Sequence, residues 1–270
     1  MEKPLRQIGV ESAHGFGDGL FNVALIRELS QHHNTKIGVA VRPHCKDAFY
    51  NLPWVDEIVE IPQMNDGAKV LQNLGYKRTI HITQTVKFFE FRERDTNHSL
   101  IDTPLWTGRQ LGLPDFDQRP VFYPTSEEMA ATDCMMSDQP TIAIETVYTS
   151  GQSWTKQQDI QLILDKYLST HRILWLSNSD APDHPNVDNL LRFSRRQVIM
   201  CLRACDVFFS VGSGFFCASL ALPSGLQSTR IVCLWQDGFY KYEHPLAVHK
   251  WCKDLIWIHN QQELRQYLAN

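Results

Sequence analysis

The sequence holds no apolar run that approaches the ~18 residues a membrane-crossing helix needs. Its opening, MEKPLRQIGVES, lacks the apolar core of a secretory signal. Both absences point to a cytoplasmic protein with no integral membrane contact. Positive charge is not in excess: 26 Lys and Arg face 30 Asp and Glu, for a net charge of −4. A surface built wholesale for polyanions is thereby excluded, and any basic groove has to be local. The seven cysteines (Cys45, Cys134, Cys201, Cys205, Cys217, Cys233 and Cys252) form no C-x-x-C pair, and their number is odd. Buried reduced thiols are expected, rather than disulfides or a zinc site. The eleven histidines show no H-E-x-x-H spacing, so metal-dependent hydrolysis has no support and no metal is expected. Short-period repeats and low-complexity tracts are missing as well.

What remains is a globular composition. Of 270 residues, 43% are hydrophobic and 21% charged, enough for one large domain or two small ones. Residues 7–11 read as a strand, 15–19 as a glycine-rich turn, and 20–31 as a helix with Phe21, Leu25 and Leu29 on one face. Further strands are expected at 36–41, 57–61 and 78–83. Helical segments are expected at 45–51, 68–74 and 100–111, the last closed by Gly112. Strand followed by helix, repeated, predicts a parallel sheet with helical crossovers. Residues 113–140 break the rhythm, with three prolines in LPDFDQRPVFYPTSEE. The rhythm then restarts, with strands at 141–145, 172–177, 206–211 and 230–234. Helices follow at 156–168 (Ile160, Ile163, Leu164, Tyr167 and Leu168 inward), 195–203 (Val198, Ile199 and Leu202 inward), 215–222 and 261–268. Two similar α/β halves imply two facing Rossmann-like domains, residues 1–118 and 141–270, with 119–140 as connector and a ligand cleft between them.

Four segments carry residues suited to chemistry. The turn 14–19 (HGFGDG) joins the first strand to the first helix, and Gly15, Phe16 and Gly17 can bring backbone close to a ligand. A dinucleotide fingerprint would need a third glycine where Leu20 stands, and an acid after the second strand where Arg42 stands. Asp18 either takes a proton from a sugar-type hydroxyl or caps the helix. The segment 211–217 (VGSGFFC) again lies between strand and helix. Gly212, Ser213, Gly214 and Phe215 make either an amide cradle for a diphosphate or a tight βα turn. It is not a hydrolase nucleophile elbow, which would place glycine at Val211 and Phe215. In 149–156 (TSGQSWTK), Thr149, Gln152 and Lys156 suit phosphate or ribose, while Trp154 equally suits the core. In 87–94 (KFFEFRER), Phe89, Arg92 and Arg94 suit a planar or anionic acceptor, or an amphipathic surface. The basic run 192–196 and the Asp115–Phe116–Asp117 triplet read as solvated. In 235–245 (WQDGFYKYEHP), Lys241 and His244, with Asp237 and Glu243, form either a loop over a donor or a packed aromatic loop.

In their order along the chain these motifs resemble glycosyltransferase family 9, the ADP-heptose:lipopolysaccharide heptosyltransferases of the GT-B fold. Residues 15–29 (GFGDGLFNVALIREL) look like the family's LGD-containing turn and first helix. Residues 51–61 (NLPWVDEIVEI) look like its p-x-v-D-x-v-i strand, and LGLP at 111–114 like the end of its first domain. SWTKQQ at 153–158 resembles the segment around K-x-W-P, and ACDVFFSVGSGFFCA at 204–218 resembles A-D-x-x-I-x-x-D-S-G-x-x-H-L-A. The sequence departs from these patterns at Gly212 and Cys217, where the family has an acid and a histidine. It departs again at Gln152 and Thr155, where the family has lysine and proline. The resemblance implies a metal-independent, inverting glycosyltransferase of GT-B fold. Asp18 would be its base, and Gly212, Ser213, Gly214, Phe215, Thr149, Gln152, Lys156 and Lys241 would surround the donor. Gly15, Phe16, Gly17, Phe89, Arg92 and Arg94 would surround the acceptor. The implied partner is a nucleotide-diphosphate sugar as co-substrate, with no other cofactor. The acceptor is a lipopolysaccharide-type glycan, or a hydroxymethylated pyrimidine in phage DNA extruded onto Phe88, Phe89 and Phe91. The missing acid and histidine leave open a non-catalytic, degenerate sugar-nucleotide-binding protein.

Overall fold

A computed structural model describes residues 6–12, 15–63, 66–82, 103–133, 135–146, 153–177, 181–222, 229–235, 251–252 and 254–270. The chain divides into two compact units, one running through Tyr123 and the other beginning at Pro124. The two-unit α/β architecture expected from the alternating pattern is present.

In the amino-terminal unit β1 (Ile8–Ser12), β2 (Ile37–Val41), β3 (Val55–Glu60) and β4 (Arg78–His81) form a parallel sheet in the order β3-β2-β1-β4. Every residue of β1 and β2 is buried, as in a strand covered on both faces. Between them runs α1 (Phe16–His33), which buries Leu20, Phe21, Val23, Leu25, Ile26 and Leu29. The helix begins four residues earlier than the pattern suggested. The glycine turn is its first turn rather than a loop. The Asp18 carboxylate reaches back and accepts the N–H of Gly15, the N-cap, at 3.0 Å. Gly19 is needed for proximity rather than for an unusual φ: a Cβ there would lie 3.1 Å from Ala48 and 3.2 Å from the Phe49 ring. Asn34, left-handed at φ 46°, ends the helix. The expected short helix at 45–51 is a 3₁₀ segment, Pro43–Ala48. After it come α2 (Gly67–Asn73), packed on β1, β2 and β4, and α3 (Thr103–Gln110), which lies against α1. Gly112, at φ +78°, follows the end of α3, as expected of a helix-closing glycine.

The carboxy-terminal unit begins with a helix in the stretch that read as irregular, α4 (Ser126–Asp133). Then follow β5 (Thr141–Glu145), α5 (Gln157–Tyr167), β6 (Arg172–Leu176), β7 (Val187–Asn189), α6 (Arg195–Cys201) and β8 (Val207–Ser210). The unit closes with α7 (Gly214–Ala221), β9 (Arg230–Leu234), β10 (Leu255–Ile258) and α8 (Gln261–Ala269). All six strands are parallel, in the order β10-β9-β8-β5-β6-β7. Ile142, Ile144, Trp175, Phe209, Val232 and Leu234 of the sheet pack with Ile160, Ile163 and Leu164 of α5 and Leu264 and Leu268 of α8. The expected faces of α5 and α6 are the buried ones, with Tyr167 and Leu168 half-covered at the rim. Among the described residues no helix is long and apolar enough to cross a membrane. The six described cysteines are free thiols, five of them buried.

Candidate functional site

In a parallel sheet a ligand crevice opens where the strand order reverses, because the connections on either side leave in opposite directions. In the carboxy-terminal unit the reversal lies between β5 and β8. β5 ends on Glu145, β8 on Ser210, and the segment 211–213 leads directly into α7. Glu145 is 2% exposed. Its carboxylate accepts from the Ser210 hydroxyl at 2.9 Å, from the Val211 N–H at 3.3 Å, and from the Ser213 hydroxyl. Burial pushes this carboxyl up to about 7, against the three hydrogen bonds, which pull it down. The turn is therefore built around an acid supplied by the neighbouring strand, while the turn itself has Gly212 where the family pattern has one.

Gly212 adopts φ +73°, and a Cβ at that position would stand 2.5 Å from the Trp235 ring. Only glycine satisfies both the left-handed backbone and the closeness of the indole. Its N–H donates to Ser210 Oγ at 3.2 Å. Ser213 is the N-cap of α7, accepting from the Phe215 N–H at 3.0 Å while donating to Glu145. The serine hydroxyl thus serves the loop's own shape. Among the described residues, the N–H groups of Ser213 and Gly214 carry no hydrogen bond, and they sit at the positive end of the helix dipole. The arrangement offers backbone donors for an oxyanion, stiffened by Glu145.

The amino-terminal unit repeats the plan. Its strand order reverses between β1 and β4. Glu11, 1% exposed, lies one residue from the end of β1, opposite His81 in the β4 register. Its Oε2 lies 3.0 Å from His81 Nδ1 and accepts the Ala68 N–H at the start of α2 at 3.2 Å. Asp18, half-buried, stands in the first turn of α1, which leaves the end of β1; Phe16 beside it is buried, and Gly15 and Gly17 are half-buried. The N-cap is Gly15 rather than Asp18; Asp18, at the third helical position, accepts the Gly15 N–H at Oδ2.

Solved structures share this arrangement of chain. A glycosyltransferase family 9 protein from Veillonella parvula superposes with a TM-score of 0.69 at 12% identity, over 100% of this chain and 93% of its own. Escherichia coli ADP-heptose LPS heptosyltransferase II gives 0.67 at 15% identity, over 97% of this chain and 96% of its own. E. coli heptosyltransferase WaaC, solved with ADP, gives 0.63 at 10% identity, over 97% and 99%. The chain has the fold of family 9 glycosyltransferases. No family model matches the sequence, and no curated protein matches it either.

On this glycosyltransferase fold the sequence-picked residues fall into three groups. Gly212, Ser213, Gly214 and Phe215 come together at the β8–α7 turn, and Gly15, Phe16, Gly17 and Asp18 at the β1–α1 junction. Lys156 is exposed at the N-cap of α5, where its N–H donates to Asp159 at 2.8 Å; among the described residues no hydrogen bond or ion pair joins it to the β8–α7 turn. His14, Phe88, Phe89, Phe91, Arg92, Arg94, Thr149, Gln152, Asp237, Lys241, Glu243 and His244 lie outside the described residues. One reading is corrected: Arg196, expected in a solvated helix start, is 5% exposed and forms a two-pronged pair with Glu128 at 2.5 and 2.9 Å. Asp115 is exposed, as expected, and pairs with Arg109 at 2.7 and 2.8 Å. Trp154 is a core anchor, its indole N–H donating to the Ile258 carbonyl at 3.0 Å. Among the described residues no group of three or more His, Cys, Asp or Glu side chains is placed to hold a metal ion.

Glu11, His81 and Glu145 did not stand out in the sequence. The available signal was a carboxylate at or beside the end of an otherwise uncharged, strand-forming segment, in IGVES and in TIAIE. In a strand buried on both faces such a residue is expensive unless it is hydrogen-bonded, so it marks a structured site.

Proposed function

We propose that the protein is an inverting, metal-independent glycosyltransferase that moves a sugar from a nucleotide-diphosphate donor to an acceptor hydroxyl. One observation carries the reading: a family 9 glycosyltransferase fold over the whole chain, with a glycine turn and helix N-terminus at the strand-order reversal of its carboxy-terminal unit. In this mechanism the amides of Ser213 and Gly214, with the α7 dipole, hold the diphosphate and stabilise charge growing on the leaving group. Glu145 keeps those amides in place through Ser210, Val211 and Ser213. Lys156, Lys241, Thr149 and Gln152 supply further donor contacts.

Asp18 takes the proton of the acceptor hydroxyl as the oxygen attacks the anomeric carbon and the nucleoside diphosphate departs. The acceptor binds the amino-terminal unit around Gly15–Asp18, Phe89, Arg92 and Arg94. It is a lipopolysaccharide-type glycan or a hydroxymethylated pyrimidine. No cofactor beyond the sugar nucleotide takes part.

Asp18→Asn tests the base. The amide retains an acceptor oxygen for the Gly15 N–H, so the cap survives, but it cannot accept the hydroxyl proton. Transfer, followed by nucleoside diphosphate release in a panel of sugar nucleotides, is expected to fall at least about a hundredfold. Stabilisation by ADP or UDP in a thermal melt should be unchanged. Near-normal turnover of the variant refutes the role.

A second reading, a sugar-nucleotide-binding protein without turnover, is favoured by one observation: an Asp18 oxygen is already committed to the helix cap. It predicts nucleotide binding without transfer or hydrolysis in the same panel.

A further inference from the structure

Strand alternation puts Glu145, Ser210 and Trp235 on one face of the carboxy-terminal sheet. The residues just before them, Ile144, Phe209 and Leu234, pack on the other face with α5 and α8. Ser210 is the register partner of Cys233, so Trp235, two residues further on, stands level with Gly212. The turn before α7 is therefore flanked by an acid from β5 on one side and an indole from β9 on the other. The acid acts through polar contacts, accepting from Ser210, Val211 and Ser213. The indole acts through bulk. A Cβ on Gly212 would lie 2.5 Å from Trp235 Cζ3 and 2.7 Å from Cε3.

The indole is itself held. The backbone N–H of Trp235 donates to the Ile258 carbonyl at 2.9 Å, which fastens it to the end of β10. Its ring meets that of Trp257 edge to face, with centroids 5.6 Å apart and planes at 86°. Trp257 in turn meets Phe216, in the first turn of α7, at 5.8 Å. The contacts run from Gly212 through Trp235 and Trp257 to Phe216, and so support the segment 212–216 at both ends. Between those ends lie Ser213 and Gly214, whose N–H groups carry no hydrogen bond among the described residues. Two middle-sized side chains would fill the same space. Pairing the bulkiest residue with the one that has no side chain brings ring against backbone instead, and a close-packed contact of that kind leaves the backbone little freedom.

We infer that Trp235 is a positioning residue for the donor diphosphate: pressed on Gly212 and braced by Trp257 and Phe216, its indole fixes the direction of the Ser213 and Gly214 amides. It acts through the turn and not on the reacting atoms. The inference rests on the donor side of the transferase reading, and its test separates the two.

The test uses the full chain, without ligand and then with ADP and UDP as probes. The variant is Trp235→Phe, which keeps a ring in the core but removes the benzo ring that carries Cε3 and Cζ3. Without ligand, amide hydrogen exchange is followed at Val211, Gly212 and Phe215, whose N–H groups are bonded to Glu145, Ser210 and Ser213. It should speed up at least about tenfold at these positions and stay at the parent rate across α5 and α8. Gly212→Ala should lower the melting temperature less in the Trp235→Phe background than in the parent, because the ring that its methyl meets is gone. Unchanged exchange at the turn, an equal rise across α5 and α8, or additive losses in the double variant overturns the inference. With ligand, Trp235→Phe should weaken nucleotide binding by about tenfold, the size of one misaligned hydrogen bond. Leu264→Ala, buried on the opposite face, controls for destabilisation alone: its melting temperature should fall while its nucleotide affinity matches the parent. Parent-like affinity in Trp235→Phe, or an equal loss in Leu264→Ala, sinks this inference and spares the donor site. A parent that binds neither nucleotide sinks the donor reading, and the ligand-free measurements then decide alone whether Trp235 sets the turn.

Discussion

Glu145 changes charge near neutrality. Its ordinary value near 4.5 is raised to about 7 by burial, so the folded protein holds this proton more tightly than the unfolded chain. The stabilising contribution is complete below 4.5 and is lost as pH rises through 7. Over that interval the folded protein should lose at most about 3 kcal/mol from this group. Glu145→Gln, neutral and of the same shape, should flatten the dependence of melting temperature on pH between those values. A variant whose pH profile still parallels the parent would show that the carboxyl titrates normally. The same proton matters to the proposed donor site. A diphosphate placed over the β8–α7 turn meets less repulsion when Glu145 is protonated, so nucleotide affinity should weaken above pH ~7 in the parent and not in the variant.

At the scale of elements, the carboxy-terminal unit depends on a helix pair that the sequence hid. α4 is joined to α6 by Glu128 and Arg196, with side chains 15% and 6% exposed. Although burial pushes Glu128 up, the Arg196 guanidinium and the Thr125 N–H hold it below the usual glutamate value. Arg196→Met alone leaves that carboxylate without its partner and should cost about 3 kcal/mol, read as a lowered denaturation midpoint in urea. The double change Glu128→Leu, Arg196→Met should recover most of the loss, because the charge and its partner leave together. A single variant as stable as the parent would place the pair outside the stability of the fold.

The strands with continuous apolar runs were legible: 141–145 and 230–234 were expected with the bounds they have. β10 (Leu255–Ile258) was not, because LIWI is too short to separate strand from helix by period. α4 was missed because SEEMAATD has little apolar periodicity and follows a proline-rich run. At the site, the glycine turn before α7 announced itself through composition. Glu145 did not, since its partners Ser210 and Ser213 lie 65 and 68 residues away. Local pattern carries no information at that separation.

For the whole molecule, the two units use one design. A buried glutamate at or beside the end of the first strand is met by groups from the strand across the order reversal: His81 from β4, and Ser210 with the following turn from β8. Ligand protection should therefore divide by unit. When ADP is added, amide exchange should slow most across 210–217 and the end of β5, and less across α1. Protection centred on 15–20 instead would move the nucleotide to the amino-terminal unit.

The design also has a consequence during synthesis on the ribosome. Glu11 emerges 70 residues ahead of His81, and Glu145 emerges 65 ahead of Ser210. Until the later strand arrives, each acid stays hydrated and its strand lacks a flank. Each half can seal its sheet only after most of its own length has left the exit tunnel. A stall just before residue 78, or just before 207, should leave a nascent chain that chaperones still recognise.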